Sequence, residues 1–285
     1  MNHIHPDSVD NDLADRAHAL GLHGLLASWH RYARQPWLGE LLRVEEEERK
    51  RRSLARRVKN ARIGAFKPMA DYDWQWPKHI DRMAVEDVVE GAFLRDKCNV
   101  VITGPNGVSK TMIAKNTAHN AVVQGYTVLY TNASEMLVDL AAQQSSGALS
   151  CRLRRYCNPD LLCIDEVGYL SYNARFADLL FEVVSRRYDA CRPILLTTNK
   201  AFEQWVDVFP NASTVVTLID RLIHRCETIH IDAKSYRVKE AQERAQARGK
   251  DRIQRQKRAP PTRRGPSVDI CQDNDSATSG ESEIF

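Results

Sequence analysis

The spacing of apolar residues changes character along the chain. Over residues 12–67 nothing alternates with the two-residue period of a strand. The apolar positions Leu20, Leu22, Leu25, Leu26 and Trp29, then Trp37, Leu38, Leu41 and Leu42, predict helices, with Pro36 as punctuation. From residue 97 a short apolar run, a loop and a helix-length segment recur. Strands are predicted at 99–103 (NVVIT), 127–131 (TVLYT), 161–165 (LLCID), 193–197 (PILLT) and 228–231 (TIHI). Runs this apolar suit a parallel sheet buried on both faces. Past Tyr236 a charged Ala/Gln/Arg-rich stretch predicts a helix. From Ala259 (APPTRRGPS) the composition is that of a disordered segment, ending in the acids Asp269, Asp273, Asp275, Glu281 and Glu283.

Between helices and sheet lies DYDWQWP, residues 71–77, whose three aromatics are poorly suited to a free linker and are expected to dock on the core. The organisation expected is a helical DNA- or partner-binding part at 1–70, the aromatic linker at 71–96, an α/β core at 97–236, a basic helix at 237–258 and a tail at 259–285. The 285 residues, 43% of them hydrophobic, suffice for one such core with appendages.

Charge sharpens this picture. The formal net charge is only +4, yet residues 49–67 hold nine Lys or Arg and no acid, and residues 234–264 hold twelve against three acids. Charge so segregated points to a polyanionic partner, and duplex DNA rewards clustered cations through counterion release. The seven cysteines form no C-x-x-C pair and read as reduced thiols; no apolar h-region opens the chain, and nowhere do 18 apolar residues run together. A cytoplasmic protein that is neither exported nor membrane-spanning is expected. His3 and His5 read as a flexible terminus rather than a metal site.

The chemistry is concentrated in GPNGVSKT, which follows NVVIT directly and precedes a helix-compatible stretch. Gly104, Pro105, Asn106, Gly107, Val108 and Ser109 would turn backbone N–H groups and a helix N-terminus toward one point, as a triphosphate requires. Lys110 would reach the β- and γ-phosphates of ATP, and the Thr111 hydroxyl would sit on Mg²⁺. Ser109 departs from G-x-x-x-x-G-K-[ST], because it stands where the second glycine belongs; its Cβ is expected to weaken nucleotide binding.

Fifty-five residues after Lys110, LLCIDEVGYL places Asp165 at a strand end, where it can hold Mg²⁺, and Glu166 where it can polarise an attacking water. PILLTTNK then closes a strand on Thr198 and Asn199, and Asn199 is assigned to the lytic water. Loop lysine, Asp-Glu pair and strand-end Asn, in that order, specify a three-layer α/β/α P-loop fold with parallel sheet order 5-1-4-3-2.

The run from DYDWQWP through NVVITGPNGVSKTMIAKN, LLCIDEVGYL, FEVVSRRYDACRPILLTTNKAFEQW and LIDRLIHRCETIHIDAKSYRVKEA resembles the IstB-like ATP-binding proteins of bacterial transposons. These are relatives of the DnaC and DnaI helicase loaders within the AAA+ superfamily. The resemblance covers about residues 12–247. It implies an ATP-dependent homo-oligomer that grips and bends duplex DNA and passes the target to a transposase. It also implies an arginine finger supplied in trans, which Arg221 in LIDRLIHR matches best and Arg225 second. Loops of the replicative MCM helicase and MoxR classes, with Ala or Ser before the Lys, resemble this one at Ser109.

In the N-terminal basic stretch, Glu45–Arg49, Glu46–Lys50, Glu47–Arg51 and Glu48–Arg52 are i,i+4 pairs in the favourable helix orientation. Arg56, Arg57, Lys59, Arg62 and Lys67 lack such partners and are expected to continue the same helix; they are read as contacts to DNA phosphates, with a solvated face as the alternative. No base-reading module is apparent, so binding is expected to follow the backbone and DNA shape. Two other readings compete: a DnaC-like helicase loader, and a DNA-binding scaffold in which Ser109 has spoiled nucleotide binding.

Overall fold

Five parallel strands make one sheet in the computed structural model, which describes residues 6–169, 172–209 and 212–258. They are β1 (Asn99–Thr103), β2 (Val128–Asn132), β3 (Leu161–Val167), β4 (Ile194–Thr198) and β5 (Cys226–His230). Their order, β2-β3-β4-β1-β5, is the 5-1-4-3-2 order expected from sequence, read from the other edge. The strand edges move by up to two residues. β2 runs on to Asn132, and β3 continues past Asp165 to Val167 through an irregularity in its pairing with β4.

Side-chain alternation along the strands divides the core in two. Val101, Leu129, Leu162, Ile164 and Leu196 face one side, packed with α8 (Ala133–Ala141), α9 (Ser146–Cys157), α10 (Ala174–Asp189) and α11 (Ala212–Ile223). Val100, Ile102, Val128, Tyr130, Leu161, Cys163 and Leu195 face the other, with α5 (Arg82–Glu90) and α7 (Lys110–Val123). This is the three-layer α/β/α arrangement, in which both sheet faces are covered and the strands carry few polar residues.

Ahead of the sheet stand α1 (Pro6–Ala19), α2 (His23–Ala27), α3 (Trp29–Tyr32) and α4 (Leu38–Ala61), followed by the short α6 (Ala92–Asp96) after α5. Ala17, Leu20, Leu38 and Leu42 form a separate small core there, while the far end of α4 places Leu54 and Ala61 in the sheet's second cluster. Tyr72 is buried, and the Trp76 indole donates to the Lys234 carbonyl at 2.8 Å. α12 (Tyr236–Arg258) closes the described chain, and its residues 240–258 fall in a unit separate from the rest. The tail expected from Ala259, Cys271 within it, and the histidines at 3 and 5 lie outside the described residues.

Two expectations about the basic stretch are corrected. Glu45–Arg49 and Glu48–Arg52 form at 2.6 and 3.4 Å, but Glu46 pairs with Arg16 of α1 at 2.8 Å, Glu47 pairs with Arg43, and Arg51 pairs with Glu48, three residues before it, in place of Glu47. Pairing rules internal to one helix miss Arg16 because it arrives from another helix. The helix also stops at Ala61, where Arg62 adopts φ 57°, so Lys67 lies beyond it; and Arg57 is engaged, donating to the Ser53 hydroxyl and the Val122 carbonyl.

Candidate nucleotide site

β1 ends at Thr103 and α7 begins at Lys110, so residues 104–109 form the turn between a buried strand and a helix N-terminus. The glycines are required by close approach. At Gly104, with φ 152°, a Cβ would stand 2.4 Å from the Ile231 carbonyl oxygen; at Gly107, with φ 79°, it would stand 2.3 Å from Ser235 Oγ. Ser109 occupies the left-handed region at φ 71°, a conformation that costs a residue with a Cβ roughly 1 kcal/mol. Val108 is buried, and Pro105 and Asn106 form the exposed crest.

Lys110 folds back over this turn, donating to the Gly104 and Pro105 carbonyls at 2.7 Å each. Burial lowers its pKa to about 8, against the pull of Asp165 and Glu166 toward the charged form; Arg237 adds to the lowering. An incoming phosphate would supply the anion this ammonium lacks among its direct partners.

The Asp-Glu pair of β3 is held from both neighbouring strands. Asp165 Oδ1 accepts from Thr111 Oγ1 at 3.2 Å and from Thr197 Oγ1 of β4 at 2.5 Å; Oδ2 accepts from the Tyr130 hydroxyl of β2 at 2.6 Å. Burial and the Asp165 carboxylate push the Tyr130 phenol well above its ordinary pKa. Glu166 sits at φ 63° in the irregular stretch of β3; its N–H donates to Thr197 Oγ1 at 2.9 Å, and its carboxylate accepts from Asn132 Nδ2 at 2.6 Å. One hydroxyl therefore serves both acids. Thr111 and Asp165 together offer hard oxygen donors of the kind Mg²⁺ takes.

Asn199 follows the last residue of β4, and its Oδ1 is buried with no hydrogen-bond partner among the described residues. An orphaned acceptor at the end of the strand beside Asp165 is one that a water or ligand donor would satisfy. The structure thus gathers residues 104–111, Asp165, Glu166 and Asn199 at the C-terminal edge of the sheet, the edge where open α/β sheets bind ligands.

A family model described as IstB-like ATP binding protein matches residues 13–244. The chain belongs to that family. It is 33% identical to the insertion sequence IS21 ATP-binding protein of Pseudomonas aeruginosa, over 70% of this chain and 75% of that one. To the insertion sequence IS5376 ATP-binding protein of Geobacillus stearothermophilus it is 29% identical, over 75% of this chain and 85% of the relative. Among solved structures, DnaI superposes with a TM-score of 0.50 at 18% identity, over 61% of this chain and 90% of that one, a likeness of fold.

Arg221 of this IstB-like chain stands elsewhere. Its guanidinium lies over the rings of Phe181, at 5.1 Å, and Tyr188, at 5.8 Å, beside a cavity of about 270 Å³ lined also by Asn99, Arg192 and Arg225. Asn99 begins β1, so the cavity is at the opposite end of the strand from Gly104, and the structure does not bring Arg221 or Arg225 to the phosphate loop of their own chain. Reading the sequence alone overlooked Tyr130, Asn132, Thr197 and the Ser235–Arg237 segment, whose Tyr236 N–H donates to the Gly107 carbonyl at 2.8 Å. Asn132 had a signal: it stands between an apolar run and a helix, and its side chain caps α8 by accepting from the Ser134 N–H.

Proposed function

We propose that this IstB-like protein binds and hydrolyses ATP with Mg²⁺, and that it uses the nucleotide to assemble on and remodel duplex DNA as the helper of a transposase. The observation that carries the reading is the convergence of the Lys110 loop and the Asp165–Glu166 pair, with Thr111 and Asp165 hydrogen-bonded to each other. Main-chain N–H groups of Gly104 and residues 106–111 and the Lys110 ammonium would hold the phosphates; Thr111 and Asp165 would hold the metal. Bound there, Mg²⁺ supplies charge neutralisation to the transferred phosphoryl group. Glu166 polarises the attacking water, which the orphaned Asn199 oxygen helps to place. Arg221 completes the site of a neighbouring copy, consistent with its position at the far end of the strands. The curated relatives are ATP-binding proteins of insertion sequences by name, which supports the transposition context.

DNA binding is assigned to the exposed cations Arg56, Lys59 and Arg62 near the end of α4. The left-handed backbone at Ser109 is the one observation that favours a second reading, a nucleotide-impaired DNA-binding scaffold. Fluorescent-nucleotide binding and DNA-stimulated hydrolysis, measured for the natural chain, Lys110→Ala and Ser109→Gly, separate the two. Binding and turnover by the natural chain that Lys110→Ala abolishes support the ATPase. No binding by the natural chain, regained in Ser109→Gly, supports the scaffold.

A further inference from the structure

The carboxylate of Asp165 is held asymmetrically. Its Oδ1 is shared by two hydroxyls, from Thr111 and Thr197, whereas the Tyr130 phenol is the donor on Oδ2. A carboxylate with donors on one oxygen alone can rotate about its Cβ–Cγ bond and exchange the oxygen it offers. A donor on each oxygen fixes the plane. The phenol is itself well anchored: Tyr130 is buried in the cluster packed by α7, and the Lys115 ammonium lies 5.3 Å from its ring centroid. Asp165 is also almost fully buried, so bulk water is not available to take over the hydroxyl's place.

We propose that Tyr130 is a positioning residue for the metal site: by holding Oδ2, it keeps the Oδ1 edge of Asp165 turned toward Thr111, the residue with which Asp165 would hold Mg²⁺. The proposal rests on the reading of Thr111 and Asp165 as the metal-holding pair. Partners that orient a metal's ligands commonly change metal affinity by about ten- to a hundred-fold when removed. Among the described residues the Tyr130 hydroxyl donates to Asp165 and not to residues 104–110, so the effect expected is on the metal and not on the nucleotide.

The test uses the full chain and Tyr130→Phe, which keeps the ring and deletes only the hydroxyl. A fluorescent ADP analogue is titrated in EDTA and then at rising Mg²⁺, alongside thermal melting of both proteins. The expected result is equal affinity in EDTA and a half-saturating Mg²⁺ concentration raised about ten-fold in the variant. An unchanged Mg²⁺ requirement overturns the proposal while leaving the nucleotide reading intact. A matching loss of affinity in EDTA also overturns it, because the hydroxyl would then be serving the loop or the fold. If the natural chain binds the analogue in neither condition, the proposed function fails, and the role of Tyr130 fails with it.

Discussion

The amide of Asn132 donates to the carboxylate of Glu166 at 2.6 Å, joining the end of β2 to the acid proposed to polarise water. Held there, Glu166 has one oxygen engaged by a neutral donor, which draws on its basicity and restrains its rotation toward an attacking water. Asn132→Ser keeps a capping oxygen for α8 and cannot span to Glu166. The expected outcome is faster ATP turnover without DNA and a smaller stimulation when DNA is added, measured by phosphate release. Unchanged basal turnover would mean that the hydrogen bond does not restrain Glu166.

Ser109 stands in the left-handed region with a Cβ that glycine would lack. Ser109→Gly removes that strain, while the extra freedom of glycine in the unfolded chain offsets part of the gain. The net stabilisation is at most roughly 0.6 kcal/mol, or about 1–2 °C in melting temperature. Nucleotide affinity should rise, because backbone beside the phosphates is then free of a side chain. A melting temperature that falls would show that Ser109 is held by contacts that repay its conformation.

What could be read in advance was what is local. The loop from Gly104 to Thr111 is contiguous, and its chemistry follows from strand, turn and helix succeeding one another. The Asp165–Glu166 pair follows an apolar run and was legible for the same reason. Tyr130, Asn132 and Thr197 were not, because their importance comes from the parallel register that sets Asn132 opposite Asp165 and from β4 lying on the other side of β3. Likewise, Glu46 had a partner at i+4 on paper but meets Arg16 because α1 packs against α4. The fold class depended on periodicity, which is a property of the sequence; these pairings depended on which segments become neighbours.

Asp139 of α8 ties that helix to α9. It accepts from the Arg152 guanidinium at 2.7 and 2.5 Å and from the Tyr156 hydroxyl at 2.5 Å. Hydrogen bonding from Arg152 holds its pKa below the ordinary carboxylate range, against the opposing effect of burial, with Tyr156 assisting. A depressed carboxylate contributes stability that is present above the unfolded pKa, about 4, and is lost as pH falls through the native value. Asp139→Asn should therefore cost about 1 kcal/mol near neutral pH, with its deficit constant down to about pH 5 and closing in more acid solution. Urea melts at several pH values check this; a deficit that persists unchanged in acid would assign the loss to packing.

Arg57 is committed to Ser53 and Val122, whereas Arg56, Lys59 and Arg62 are exposed. Replacing those three with Gln should weaken duplex binding and flatten its dependence on salt by up to about 3 in log–log slope, at roughly 0.9 for each phosphate no longer neutralised. Arg57→Gln should lower the melting temperature with a smaller change in slope. Equal slopes for the natural chain and the triple variant would move the DNA surface elsewhere on the molecule.

The position of Arg221 makes a prediction that no single-chain measurement can make. Its guanidinium rests on Phe181 and Tyr188 beyond the start of β1, while the phosphate loop is at the end of that strand. If Arg221 serves a neighbour, Arg221→Ala should lower turnover by about a thousand-fold and leave nucleotide binding intact. Lys110→Ala should be inactive for the complementary reason. Mixed in equal amounts, the two variants assemble interfaces in which an intact loop from one faces an intact arginine from the other. With random assembly in a head-to-tail oligomer, about a quarter of the interfaces are complete, and about a quarter of natural turnover should return. Recovery with Arg225→Ala in place of Arg221→Ala would transfer the role to Arg225. No recovery from either mixture would rule out a role in trans for both arginines, since an arginine acting within its own chain could not be rescued by a copy that lacks Lys110.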